Sequence, residues 1–335
     1  MNKFKKFISQ RLKILMGLSY GLNIVHIETT GSCTNRCYMC PSRAGKKKRK
    51  YMSDYIFEKV IDELSSQKFS KTIFFEGQNE PLLDKRLFER IDFARKKLPN
   101  AEFILMSNFT FLPDGSMEKL LNSPIDRLVT DVYALDKEEY KKICGTENAE
   151  KVIKNIEKFS KRWAEIKPYE FNLYTFENRY NRESLENIKR FMEGIPCSNR
   201  IFYFEFANRN VVPKKRNNWF FDLDLFSAIM IRGNGDVSPC VFDCNSEMKI
   251  GNVVKDNIYD LLNNKKARKI RRELFYNGKK WQDYCAVCDA ATEHKILYFL
   301  LPFRGELRHK IYNRLGMGGE LFDKMSKEEV LKDEK

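Results

Sequence analysis

The chain has 335 residues, 42% hydrophobic and 32% charged, a balance that supports a packed core and excludes a disordered chain. Lys and Arg (61) outnumber Asp and Glu (46), and the net charge of +15 points to an acidic partner: a nucleic acid, an anionic membrane, an acidic protein or a phosphorylated substrate. No apolar run approaches the roughly 18–20 residues that span a bilayer, and the longest, 296–303, is broken by Pro302, so collagen, coiled-coil and membrane-span readings are excluded.

Residues 1–20 carry five positive charges and no acid. If helical, they align Phe4, Phe7, Ile8, Leu12, Ile14 and Leu15 in an apolar stripe. The basic start is followed by a segment broken by charge, with no small-residue cleavage site, so a cytoplasmic protein with reduced thiols is expected. Across 22–207, strand-like runs at 24–27, 72–75, 102–106, 127–130, 170–174 and 201–204 alternate with helical patterns. One helix starts at the cap Ser53 and places Ile56, Val60, Ile61 and Leu64 on one face; others cover 86–98, 149–163 and 182–192. Six βα repeats imply a parallel sheet with helices outside: an α/β fold, a partial TIM-like barrel of six units. A polar, basic linker at 208–224 follows. A second unit at 225–292 contains a hairpin around Asn234-Gly235 and a helix over 257–274, and the tail 293–335 begins basic and amphipathic.

Seven of the nine cysteines fall in close-spaced groups, which points to metal. Cys33, Cys37 and Cys40 directly follow the first strand, and three thiolates within eight residues can turn to one point. They are one short of a closed zinc site, so either a zinc ion with a distant fourth ligand or an iron-sulfur cube with one free iron is open. Cys240, Cys244, Cys285 and Cys288 supply four more thiolates, and spacing alone leaves a zinc ribbon possible there.

The triplet C-x3-C-x2-C after the first strand resembles the cluster loop of the radical S-adenosylmethionine (radical SAM) enzymes. Glu76-Gly77-Gln78-Asn79-Glu80-Pro81 ends the second strand, where that family carries Gly-Gly-Glu-Pro; Gln78 and Asn79 hold the two Gly positions, with Gly77 beside them. In the family this stretch meets the methionyl amino group of the cofactor. Ser107-Asn108 ends the third strand where many members have Thr-Asn-Gly. Met39 stands where a residue's backbone lies near the adenine, and Asp131, in place of Ser-x-Asp, becomes a ribose-hydroxyl acceptor. All lie at C-terminal ends of strands, where ligands bind in such folds. The second cysteine group, with Gly235 to Cys240 before it and Ile250-Gly251-Asn252-Val253 within it, resembles the SPASM/twitch auxiliary-cluster extension. A cysteine that members carry ahead of the one matching Cys240 is absent; Cys244 takes the fourth place, with Cys197 as the alternative. Cys144, near the family's Ile-Arg-Gly position, reads as structural, and His26 as a packed strand histidine; no catalytic base stands out.

The resemblance implies two [4Fe–4S] clusters and S-adenosylmethionine, cleaved reductively to a 5′-deoxyadenosyl radical that takes a hydrogen atom from substrate. The expected reaction is a two-electron oxidation of a small or carrier-linked alcohol of sugar or cyclitol type. Peptide or protein side-chain maturation is the alternative; a zinc-binding nucleic-acid module is a remote one that leaves the six βα units without a purpose. Expected partners are an external one-electron donor such as flavodoxin or ferredoxin, for which the basic run 43–50 offers a docking patch, and a membrane surface at the inner face, contacted by 1–20 and 295–335.

Overall fold

The computed structural model describes residues 3–40, 51–112, 115–203, 220–221, 223–277 and 293–294. The basic run 43–50, most of the linker, Cys285, Cys288 and the tail from 295 lie outside them.

Helix α1 (Lys3–Leu15) precedes six strands, the first five each followed by helix: β1 (Ile24–Ile27), α2 (Asp54–Ser66), β2 (Thr72–Phe75), α3 (Leu87–Lys97), β3 (Glu102–Ser107), α4 (Ser116–Leu121), β4 (Arg127–Asp131), α5 (Lys137–Cys144), α6 (Ala149–Ile166), β5 (Glu170–Phe176), α7 (Leu185–Glu193) and β6 (Asn199–Tyr203). Then come β7 (Phe220–Phe221), β8 (Ala228–Ile231), β9 (Asp236–Ser238), β10 (Gly251–Asn252), α8 (Ile258–Leu262), α9 (Lys265–Asn277) and β11 (Glu293–His294). Strands β1 to β6 are parallel neighbours in order, as the alternating pattern requires. Ser53 caps α2, its hydroxyl accepting from Ile56 N at 3.3 Å, and Ile56, Val60, Ile61 and Leu64 are buried.

The structure differs from the sequence reading in three respects. Helices α4 and α5 are short and polar, and too few apolar positions repeat in them to register as periodic. The helix expected over 257–274 is two, α8 and α9, because Asn264 starts a new one by accepting from Ala267 N at 2.8 Å. The hairpin β8–β9 does not stand apart: β8 pairs in parallel with β1 and extends the barrel sheet to nine strands, in the order β10-β9-β8-β1-β2-β3-β4-β5-β6. An open barrel leaves the outer edge of β1 unpaired, and all four residues of β8 are buried against it.

One face of the sheet packs on helices: Phe171 meets Phe159 at 5.0 Å and Trp163 at 5.9 Å, both on α6. Alternation then puts Asn172, Tyr174 and Phe176 on the concave face. Register carries that face across the sheet through Val129, Asp131, Met106, Ile104, Phe74, His26 and Met230. The N-terminal end of the interior is closed by Arg127, which pairs with Glu170 at 2.8 Å and Glu102 at 3.2 Å; Thr72 donates to Glu102 at 2.9 Å. The C-terminal ends of the strands form the opposite, open rim.

Candidate active site

The cysteine loop is built into this rim by backbone bonds. Arg36 N donates to Cys144 O and Tyr38 N to Ile143 O, both at 2.8 Å, and Glu80 N donates to Ser32 O at 2.9 Å. Asn35 donates to the Tyr140 hydroxyl at 3.0 Å and accepts from Thr146 at 3.0 Å. Gly145 ends α5 with φ +70°, and a Cβ there would lie 2.8 Å from Arg36 O, so only glycine lets the loop seat on α5.

Cys33 is exposed, Cys37 and Cys40 half-buried. Desolvation at the sulfur pushes the Cys33 thiol up to about 12, with Glu80, Cys37 and Cys40 adding and the Asn35 N–H opposing. Cys37 is raised by its bond to the Cys144 thiol first, then by burial. Cys144 is fully buried, as a structural cysteine should be, but it also touches the cluster loop. Among the described residues no three His, Cys, Asp or Glu side chains meet at one metal-sized point.

Behind the loop, Glu80 is fully buried and burial pushes its carboxyl up to about 7, against bonds from Asn108 N at 2.7 Å, Leu82 N at 3.0 Å and the Ser107 hydroxyl at 2.8 Å. Its Oε1 takes two of these and Oε2 one, so Oε2 keeps an acceptor position for a ligand. The Asn108 side chain donates to Thr34 at 3.1 Å and to Cys33 Sγ at 3.6 Å, tying β3 to the cysteine loop. Met39 is buried. Gly77 is closely approached: a Cβ would lie 2.9 Å from Glu28 Cβ and 2.7 Å from Met230 Cε, so a larger residue would displace Glu28.

Two groups here carry buried polar atoms without partners: both amide atoms of Asn79, and Asp131 Oδ1. Asp131 Oδ2 accepts from the Tyr133 hydroxyl at 2.9 Å. Burial raises the Asp131 carboxyl to about 6, with Glu76 adding and Tyr133 opposing. Orphaned buried polar atoms call for a ligand rich in hydroxyl and amino groups, and S-adenosylmethionine is such a ligand.

His26 is not simply packed. Its Nδ1 lies 2.8 Å from Glu76 Oε1, its ring stacks on Phe74 at 4.9 Å, and Asp224 is near enough for their charges to interact. Glu76 is therefore an interior carboxylate at the rim rather than a solvated loop residue. Sequence reasoning missed two further groups, Glu28 and Arg232. Arg232 Nη1 lies 2.9 Å from Glu28 Oε2, both side chains being almost fully buried, and Gln78 N donates to the same oxygen at 3.3 Å. Charged residues ending the apolar runs of β1 and β8 were the available signal.

Arg232 also reaches the second cysteine group, donating to Asp243 O at 2.5 Å, while Gln78 Nε2 donates to Val241 O at 3.0 Å. Asp243, fully buried, accepts from Glu247 N and Met248 N at 2.9 Å each and folds the loop around the half-buried Cys240 and the buried Cys244. Their companions Cys285 and Cys288 lie outside the described residues. Cys197 precedes β6 at the far edge of the sheet, lining a cavity of about 510 Å³ with Trp163 and Lys167, and is not brought to Cys240.

Comparison with known proteins identifies the family and the fold. A family model described as the radical SAM superfamily matches residues 27–192, and one described as an iron-sulfur cluster-binding domain matches 224–289. An S-adenosyl-L-methionine-dependent 2-deoxy-scyllo-inosamine dehydrogenase of Niallia circulans is 23% identical over 290 residues, covering 83% of this chain and 98% of its own. The structure of BtrN in complex with AdoMet and 2-DOIA superposes with TM-score 0.55 at 18% identity, covering 81% of this chain and 94% of that one. Streptococcus suis SuiB bound to precursor peptide SuiA superposes with TM-score 0.55 at 13% identity, covering 85% and 74%.

Proposed function

Because the chain belongs to the radical SAM superfamily and carries a SPASM-type iron-sulfur domain, we propose that this oxidoreductase removes two electrons from a small or carrier-linked alcohol of the sugar or cyclitol type. The observation that carries this reading is the His26–Glu76 pair on the concave face, at the open end of an interior closed below by Arg127, Glu102 and Glu170. The name of the Niallia circulans relative supports the substrate class.

Cys33, Cys37 and Cys40 would hold one [4Fe–4S] cluster; Cys240 and Cys244, with Cys285 and Cys288, would hold the other. With S-adenosylmethionine they would supply the one-electron chemistry: a 5′-deoxyadenosyl radical to take a substrate hydrogen atom, and an acceptor for the second electron. The chain's own residues do the rest. Asn79, Asp131 and Oε2 of Glu80 orient the cofactor's amino and hydroxyl groups, with Met39, Gly77, Gln78, Ser107 and Asn108 shaping the cradle. Converting an alcohol to a ketone releases a hydrogen atom, an electron and a proton. Glu76 holds the proton of His26 on Nδ1, which leaves Nε2 as the basic nitrogen to take the substrate's. An external donor of flavodoxin or ferredoxin type belongs to the same reading.

The test is turnover of the anaerobically reconstituted enzyme on aminocyclitols (2-deoxy-scyllo-inosamine first) and hexoses, against peptides. Ketone should form in step with 5′-deoxyadenosine. His26→Gln should retain 5′-deoxyadenosine formation and lower ketone formation about 10²–10⁴-fold. Stimulation by peptides alone would replace this reading with side-chain maturation.

A further inference from the structure

Helix α1 is held to the molecule by one face. Ile14 is fully buried and Arg11 nearly so, the Tyr276 hydroxyl donates to Leu15 O at 3.1 Å, and Ser19 N donates to Asn263 Oδ1 at 2.7 Å. Gly17, at φ +71°, lets the chain close on α9, where a Cβ would lie 2.5 Å from Arg272 Cγ. The other face is apolar and turned outward: Ile8 is 42% exposed, Leu12 53%, Leu15 37% and Met16 60%. Their spacing of i, i+4, i+7 and i+8 makes one continuous row. Single exposed apolar residues are ordinary, but four aligned on one face mark a contact surface.

The surroundings of that row are basic. Residues 1–20 contain no acid, and Lys13 is half-exposed on α1, Arg11 lying on the buried side. Helix α9, on which α1 is seated, exposes Lys265, Lys266, Arg268, Lys269 and Arg272. We propose that the outer face of α1, flanked by α9, docks on an anionic lipid bilayer, the apolar row entering the headgroup boundary and the Lys and Arg side chains meeting lipid phosphates. Charge selects this occupant. A second copy would set the same basic patch against itself across a two-fold axis, and a nucleic acid would leave the apolar row uncovered. Among the described residues no helix is long and apolar enough to cross a membrane, so the contact is peripheral. A hydroxylated substrate carried on a lipid would be met where it resides.

The test is flotation of the reconstituted full chain with phosphatidylglycerol–phosphatidylcholine vesicles and with phosphatidylcholine alone. The protein should float with the anionic vesicles at low ionic strength and be released by salt. The double variant Ile8→Glu/Leu12→Glu should bind at least about tenfold more weakly, with Lys266→Glu/Lys269→Glu also weakened. Both pairs are exposed, so melting should match the parent. The proposal is overturned if the chain does not float, if neutral vesicles serve as well, or if both variants float like the parent. It is also overturned if binding is lost only on deleting 295–335, which makes the tail the anchor. A dimer that Ile8→Glu/Leu12→Glu dissociates in sedimentation would likewise assign the face to a second copy.

Discussion

Asp131 has one carboxylate oxygen bonded to Tyr133 and the other buried without a partner, and its carboxyl is raised from 3.8 to about 6. Between those values the folded chain keeps a proton that the unfolded chain has released. The contribution to stability is therefore most favourable below about 4, falls as pH rises through about 6, and is flat above. Asp131→Asn removes the buried charge while an amide can still bond Tyr133. It should flatten the change in melting temperature between about pH 4 and 6 and raise stability at neutral pH by on the order of 1 kcal/mol. The same change should weaken S-adenosylmethionine binding, measured by equilibrium dialysis. A lower melting temperature at neutral pH, with cofactor affinity intact, would make Asp131 a structural carboxylate instead.

Helices α2 and α3 meet the strand ends through one buried guanidinium. Arg90 pairs with Asp84 at 2.7 Å and Asp54 at 3.1 Å and donates to Met52 O at 2.5 Å, so it joins the start of α2, the turn after Pro81 and α3. Arg90→Ala leaves the Asp84 carboxylate buried and unpaired, and the expected cost is about 3–5 kcal/mol, read as a drop in the urea midpoint. Because the Pro81 turn follows Glu80, the loss should also weaken S-adenosylmethionine binding. Arg90→Lys keeps the charge but not the fork, and should fall between the two. An Arg90→Ala midpoint equal to the parent's would show that the network carries no net stability.

Across the whole molecule, the two cysteine groups are joined by a buried link from Glu28 on the barrel through Arg232 to the carbonyl of Asp243. Arg232→Met strands the Glu28 carboxylate, at about 3–5 kcal/mol, and frees the loop that carries Cys240 and Cys244. Its iron content should fall toward that of a Cys285→Ala/Cys288→Ala variant, with 5′-deoxyadenosine still formed and ketone lost. Adding Glu28→Gln should recover most of the melting temperature but not the iron. Parent-like iron in Arg232→Met would show that the auxiliary loop folds without the barrel.

The six parallel strands, their order and the rim position of Cys33, Cys37, Cys40, Glu80, Asn108 and Asp131 were legible in the sequence, because apolar periodicity and short-range spacing are local properties. The separation of a second cysteine group was legible for the same reason. Pairing across long separations was not. Nothing local says that β8 adds to the free edge of β1, that His26 meets Glu76, or that Arg232 neutralises Glu28; each joins residues tens to hundreds of positions apart and exists only once the sheet has curled. The direction of α1 was undecided in the same way. Its sequence defines an apolar stripe, but only packing on α9 chose Ile14 for the interior and left Ile8, Leu12, Leu15 and Met16 facing out. Burial is a property of the assembled neighbours, so the raised carboxyls of Glu80 and Asp131 and the raised thiols of Cys33 and Cys37 were set by the tertiary structure.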